Sequence, residues 1–181
     1  MVVEGITGGQ VFYLSGFGLL FREADKRDLR AFILTRSALG GIHRYSAAVW
    51  SGDVASRWDN LKEQISAGLN FSLSGDPNWS HDIGGYTMEQ RFIKPRPADL
   101  AEWRELNTRW FQFGAFSPIF RSHGENIKRE IFEMSPTGSP TYNSMVWYDR
   151  LRYRLMPYIY TLGADTYFND AWLAAHDIDL G

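Results

Sequence analysis

The sequence of 181 residues contains no cysteine. Disulfides and thiolate metal sites are thereby excluded, stability has to come from packing, and the redox compartment stays open. An excess of either charge is also missing: 19 Lys and Arg face 21 Asp and Glu, with a net charge of -2 and a pI near 6.1. Nucleic-acid binding, which draws on clustered cations, is not expected. There is no long apolar run. The nearest approach, "MVVEGITGGQVFYLSGFGLLF" at the N-terminus, has no positive n-region, carries Glu4 and is broken by glycines, so it reads as neither signal peptide nor membrane span. It reads as a cut edge or an irregular strand, and it leaves localisation open. Histidines number four, and His43, His81, His123 and His176 never fall at the i, i+4 spacing of a helical metal pair. No metal and no cofactor are expected, and no repeat of 20 to 50 residues is visible.

What is present belongs to a packed protein. A hydrophobic fraction of 44% and an aromatic fraction of 15% argue against disorder, and the length suits one domain with a real core.

"RAFILTR" (30–36) is a short apolar run of strand formers that stops before Gly40 and Gly41. A helix is expected from Ser56 as its cap, with Trp58, Leu61, Ile65 and Leu69 on one stripe and an end at Gly68 to Asn70. "NFSLSG" reads as the next strand and "DPNWSHDIGGY" as a polar loop, opened by Asp-Pro and closed by two glycines. Another helix should begin after Pro95 and Pro97 and bury Leu100, Trp103, Leu106, Trp110 and Phe113. "FSPIFRSHG" reads as a strand, and 125–141 as a surface excursion. From Tyr142 a long amphipathic helix runs through Tyr148, Leu151, Leu155 and Ile159, with a kink expected at Pro157.

Alternation of strand and helix is the pattern of parallel β/α units, in an open sheet or part of a barrel. Polar residues gather after each strand: Arg36 and Ser37, then Asp53, then Asp76, His81 and Asp82, then Arg121 and His123. In a (β/α) barrel such positions converge on the face that carries the active site. Carboxylates interleaved with Trp fit a sugar, whose apolar side an indole covers while acids and Arg bind its hydroxyls. The alternative is that Trp50 and Trp79 are core aromatics and the acids are turn or cap residues.

The stretch "FILTRSALGGIHRYSAAVWSGDVASRWDNLKEQISAGLNFSLSGDPNWSHDIGGY", continued by "RWFQFGAFSPIFRSHG" and "YDRLRYRLMPYIYTL", resembles the second half of the catalytic barrel of glycoside hydrolase family 31. Around "DIGGYTMEQRF" and "SPIFRSHGENIKREI" the wording is most similar to bacterial α-xylosidases acting on xyloglucan-derived oligosaccharides. The resemblance implies an α/β fold that is a partial (β/α)8 TIM barrel, roughly its second half. It also implies a retaining α-glycosidase, in which one carboxylate attacks and another first protonates the leaving oxygen and then activates water, the two about 5 to 5.5 Å apart. By that resemblance Asp53, closing "WSGD", is the acid/base, its aromatic wall and low solvation favouring the protonated form; as an ordinary residue it would be a helix N-terminal Asp. Arg36, Asp82 and His123 would bind sugar hydroxyls, Trp50 and Trp79 would wall the subsite, and Tyr86 would line it. The bland alternatives are a salt bridge between Arg36 and Asp82, a structural role for His123 and simple packing for Tyr86.

The family's nucleophile lies on an earlier strand, and nothing in residues 1–30 resembles its motif. The expected division is an irregular segment at 1–29, a partial barrel at 30–168 and a divergent tail at 169–181, with the chain inactive alone. A sugar is the expected partner, and exposed half-barrel surfaces are expected to self-associate. A non-catalytic sugar-binding or structural remnant and an α-glucosidase are the alternatives.

Overall fold

The computed structural model describes residues 22–36 and 42–169. The chain divides into two compact units, Met1–Trp50 and Ser51–Gly181. The irregular segment expected at 1–29 falls, up to residue 21, outside the described residues, as does the divergent tail from residue 170 onward.

In the first unit, β1 (Ile33–Thr35) lies inside the apolar run read as a strand, a 3-10 turn spans Ile42–Tyr45, and β2 covers Ala47–Trp50. The two strands are parallel, with Ile33 opposite Ala47 and Thr35 opposite Val49. Ala47, Ala48 and Val49 are all buried, the unalternating pattern of a strand covered on both faces.

The second unit opens with α1 (Trp58–Leu73). The strand expected at "NFSLSG" is absent: the helix runs on through it, Ser74 turns its amide to the carbonyls of Asn70 and Phe71, and Gly75 leaves at φ +86°. The buried stripe is Leu61, Gln64, Gly68 and Ser72, while Trp58, Ile65, Leu69 and Leu73, 40 to 57% exposed, face outward. The close approach of Trp79 explains this orientation. A Cβ on Gly68 would lie 2.0 Å from the indole of Trp79, so only the small-residue side of the helix admits that ring. Nor is Ser56 the cap. Arg57 holds that position without a side-chain bond, and the Ser56 hydroxyl points into the interior, donating to the Gly85 carbonyl.

The segment read as a polar loop is instead among the most buried in the unit. It carries β3 (Trp79–Ser80), and residues 79–85 are all buried. Its backbone runs parallel to the segment read as the strand "FSPIFRSHG", which meets it at two isolated bridges, Ser80 with Ile119 and Ile83 with Ser122. Backbone pairing satisfies polar groups that a surface loop would give to water.

After α2 (Gln90–Ile93), α3 (Pro97–Gly114) forms as expected. Pro97 takes the first position, where no amide proton is needed, and Asp99 accepts the Arg96 amide at 3.2 Å and its Nε at 2.7 Å. Trp103, Leu106 and Trp110 are buried, with Leu100 and Phe113 packed at the edge of the same cluster. Each such side chain contributes about 1.5–3 kcal/mol by leaving water.

Residues 125–141 are not simply a surface excursion. They include α4 (Ile131–Met134), and Met134 belongs to the core with its carbonyl held by Arg104. The final helix, α5 (Pro140–Asn169), continues through Pro157 and buries Met145 beside Asn107 of α3. Leu151, Leu155 and Ile159 are half-buried. Among the described residues no helix is long and apolar enough to cross a membrane.

Candidate active site

Asp53 is positioned by main chain on both sides. Before it, the Ser51 amide donates to the Ser80 carbonyl at 3.2 Å, and Gly52 turns at φ +83°. After it, the Val54 carbonyl accepts the amides of Tyr86 at 2.8 Å and Thr87 at 3.1 Å, and the Ser56 amide donates to Thr87 at 2.9 Å. Segments 51–56 and 80–87 of the second unit are thus tied together by backbone. The Asp53 side chain itself is exposed. The enclosed, poorly solvated setting expected for it is not provided by the described residues of this unit.

Asp82 has the opposite environment. It is fully buried and ion-paired with Arg121, while Oδ2 has no hydrogen-bond partner among the described residues. Burial pushes its carboxyl upward and outweighs the nearby positive charges, Arg121 first, then His123 and Arg129; the charge of Asp53 adds to the upward push. Asp53, Arg121, His123 and Arg129 therefore lie close enough for their charges to act on Asp82. Gly84 and Gly85 follow at φ +90° and +74°, a conformation that disfavours any Cβ. A Cβ on Gly84 would come 2.3 Å from Asn107 Oδ1, and one on Gly85 would come 2.7 Å from the Ser56 amide nitrogen.

His123 is exposed and Tyr86 half-buried, their rings 5.5 Å apart at 37°, with the Glu125 amide donating to the Tyr86 carbonyl at 3.0 Å. Trp79 sits one layer down. Only 3% exposed, it stacks on Phe71 at 5.8 Å and 7° and leans on His81 at 5.3 Å, so its faces are spent on packing. In the first unit, Arg36 is exposed and its guanidinium carbon lies 5.9 Å from the centre of the half-buried Trp50 ring, an aromatic platform with a cation beside it. The second unit thus brings Asp53, Asp82, Tyr86 and His123 together; Arg36 and Trp50 form a pair in the first.

His81, grouped in the sequence with the polar residues after strands, is a core residue. Trp110 Nε1 donates to its Nδ1 at 3.0 Å, so the ring proton sits on Nε2, which donates to Ser117 Oγ at 2.8 Å. Burial, with a smaller push from Arg121, holds its pKa down at about 3.

Two cations matter more than the sequence suggested. Arg121 falls among the polar residues after strands with no role implied by its sequence; it is the partner of Asp82. Arg129 lies in a charged stretch that reads as surface, yet it is buried behind the glycine pair. Glycines 84 and 124 are the available signal, since both leave room for the Arg129 side chain, but their spacing alone does not name it.

Chemically, this face sets a buried carboxylate, one oxygen of which has no hydrogen-bond partner among the described residues, beside an exposed carboxylate. Among the described residues no group of three His, Cys, Asp or Glu is placed to hold a metal ion.

Comparison with known proteins gives the family. A family described as "Glycosyl hydrolases family 31 TIM-barrel domain" matches residues 13–162, beginning ahead of the segment at residue 30 from which the resemblance was read. The α-xylosidase of Saccharolobus solfataricus is 46% identical over 163 residues, 86% of this chain and 21% of that protein. Alpha-glucosidase 2 of Bacillus thermoamyloliquefaciens is 37% identical over 159 residues, 83% and 18% of the respective chains. Among solved structures, the family 31 α-xylosidase of Xanthomonas citri superposes with a TM-score of 0.83 at 54% identity, covering 86% of this chain and 17% of that one. A soil-metagenome α-xylosidase complexed with xylose gives 0.73 at 30%, covering 86% and 25%. The chain spans about a fifth of the length of the curated relatives. With its parallel pairings and most of its length matched, the chain belongs to glycoside hydrolase family 31, as part of the TIM-barrel domain.

Proposed function

We propose that this chain carries the acid/base and sugar-binding face of a retaining α-glycosidase, specifically an α-xylosidase, within roughly the second half of the catalytic barrel. The observation that carries this reading is the 54% identity and 0.83 TM-score to the Xanthomonas α-xylosidase, over a chain whose Asp53 and Asp82 stand within electrostatic reach.

In this reading Asp53 gives its proton to the leaving oxygen and then takes one from water. Its exposure leaves it room to reach a glycosidic oxygen. Asp82 accepts hydrogen bonds from sugar hydroxyls through Oδ2 while Arg121 fixes the other oxygen, and His123 and Tyr86 border the same sugar. In the first unit, the Arg36 and Trp50 pair has the chemistry of a hydroxyl donor beside an apolar platform. Trp79 supports this layer from beneath. Asp82 is a poor nucleophile, being buried and ion-paired, so the attacking carboxylate comes from elsewhere in a complete barrel.

The test is hydrolysis of an aryl α-xyloside and an aryl α-glucoside by the purified chain and by Asp53→Asn. The expected result is no turnover above the variant, whereas in a chain that also supplies the nucleophile, Asp53→Asn lowers the rate on glycosides with poor leaving groups by about 10²–10⁴-fold. Turnover by the chain alone that the variant abolishes would overturn the assignment of the nucleophile.

A second reading, an α-glucosidase, rests on the 37% identity to the Bacillus enzyme. Preference between the two substrates decides it, because xylose lacks the hydroxymethyl group on C5 that a glucosidase has to house. The outward apolar side chains of α1, Trp58, Ile65, Leu69 and Leu73, make self-association part of the same proposal. Light scattering should show species larger than a monomer, growing with concentration; a monodisperse monomer throughout would count against it.

A further inference from the structure

The Arg129 guanidinium is buried among backbone rather than carboxylates. Nη2 donates to the Gly85 carbonyl at 2.6 Å, and Nη1 donates to the carbonyls of Ile127 at 2.9 Å and Glu125 at 3.2 Å. One planar group therefore joins the turn that follows Asp82 to the loop that follows His123. Its fit is close on every side. The guanidinium carbon lies 5.4 Å from the Trp103 ring centre, and Nη2 reaches Met88 Sδ at 3.2 Å. A Cβ on Gly124 would lie 2.1 Å from its Cζ, and one on Gly84 would lie 3.1 Å from its Nε. Burial at this position draws its pKa down to about 10, so a charge is kept here against solvation, and a fork of fixed geometry is the feature of Arg that Lys cannot supply.

We propose that Arg129 is a positioning residue that clamps the Asp82 turn to the His123 loop and so fixes the spacing of the two groups that hold the sugar. This rests on the reading of Asp82 and His123 as sugar-binding residues. Arg129 itself does not touch the sugar. It works through three main-chain oxygens, and its charge opposes the burial that raises the Asp82 carboxyl.

The test is peptide-level hydrogen exchange on the intact chain, with and without xylose, for the wild type, Arg129→Lys, Arg129→Met and Gly124→Ala. The last variant leaves the charge in place and pushes the guanidinium aside. Peptides over 81–88 and 121–128 should exchange about tenfold faster in Arg129→Met and in Gly124→Ala. Arg129→Lys, which can reach only part of the carbonyl set, should fall between wild type and Met. Peptides over 103–111 of α3 should not change. Xylose should protect the first two peptides in the wild type and lose that protection in Arg129→Met. Unchanged exchange at 81–88 and 121–128, or a rise shared equally by α3, overturns the clamp. If the variants loosen both segments while xylose protects neither in the wild type, the clamp stands and the sugar reading falls; if xylose protects both and the variants loosen neither, the clamp falls and the sugar reading stands.

Discussion

Acidification from pH 7 to pH 4 is expected to cost the fold about 3 kcal/mol through His81 alone. In the folded chain this imidazole keeps its neutral form down to about pH 3, whereas in the unfolded chain it takes a proton near 6.5. Below 6.5 the unfolded state binds the extra proton and the folded state does not, so stability falls by up to about 1.4 kcal/mol per pH unit and levels off near pH 3. The cause is local: Nδ1 already accepts the Trp110 bond and Nε2 already donates to Ser117, so a second proton breaks the first contact and leaves a charge buried among Trp79, Phe113 and Trp110. The lowered carboxylates of Asp99 and Glu102 lose their contribution only as the pH falls below their unfolded values of about 4. Asp82, raised by burial, works in the opposite sense and gains stability as acid protonates it. Denaturant titrations of wild type and His81→Gln between pH 7.5 and 4.5 isolate the histidine, because Gln can accept from Trp110 and donate to Ser117 without titrating. The wild type should lose stability over that window faster than the variant. Parallel curves would remove His81 as the cause.

Gly85→Ala is expected to destabilise by roughly 3 kcal/mol, combining the strain of a non-glycine residue at positive φ, about 1–2 kcal/mol, with displacement of the Ser56 backbone. The melting temperature should fall by about 6–12 °C for a chain of this size. Gly75→Ala is the control: its φ is +86°, yet nothing lies within 4 Å of the added Cβ, so only the strain remains. A Gly85 variant no less stable than the Gly75 variant would show that the Ser56 segment yields freely. The distinction bears on the candidate site, since Ser56 continues the segment that holds Asp53.

The sequence was legible where one element satisfies its own demands. α3 announces itself through Pro97 and the Trp103, Leu106, Trp110 spacing, because the start signal and burial point the same way. The family was legible from motifs, and so was the gathering of Asp53, Asp82, Tyr86 and His123. Legibility failed where a partner decided the outcome. "NFSLSG" alternates like a strand, yet Gly68 and Phe71 pack on Trp79, and the helix continues to present them. "DPNWSHDIGGY" has the composition of a surface loop, yet parallel pairing with 119–122 buries it. Ser56 has the chemistry of a cap, yet its hydroxyl is taken by Gly85, 29 positions away. The exposure of Asp53 was likewise beyond local reading, since enclosure of a side chain depends on what lies across from it.

Those long separations govern how the molecule comes together in time. Bonds that build the candidate site join residues 29 positions apart at Ser56 and Gly85, 39 at Asp82 and Arg121, and 44 at Gly85 and Arg129. Closing a loop of that length costs about 3 kcal/mol of chain entropy before any contact rewards it. Helices α1, α3 and α5 need only neighbouring residues and can form first. The candidate site is therefore a late product of folding, and lesions in it should act mainly by hastening unfolding, while the rate of folding is left to the helices.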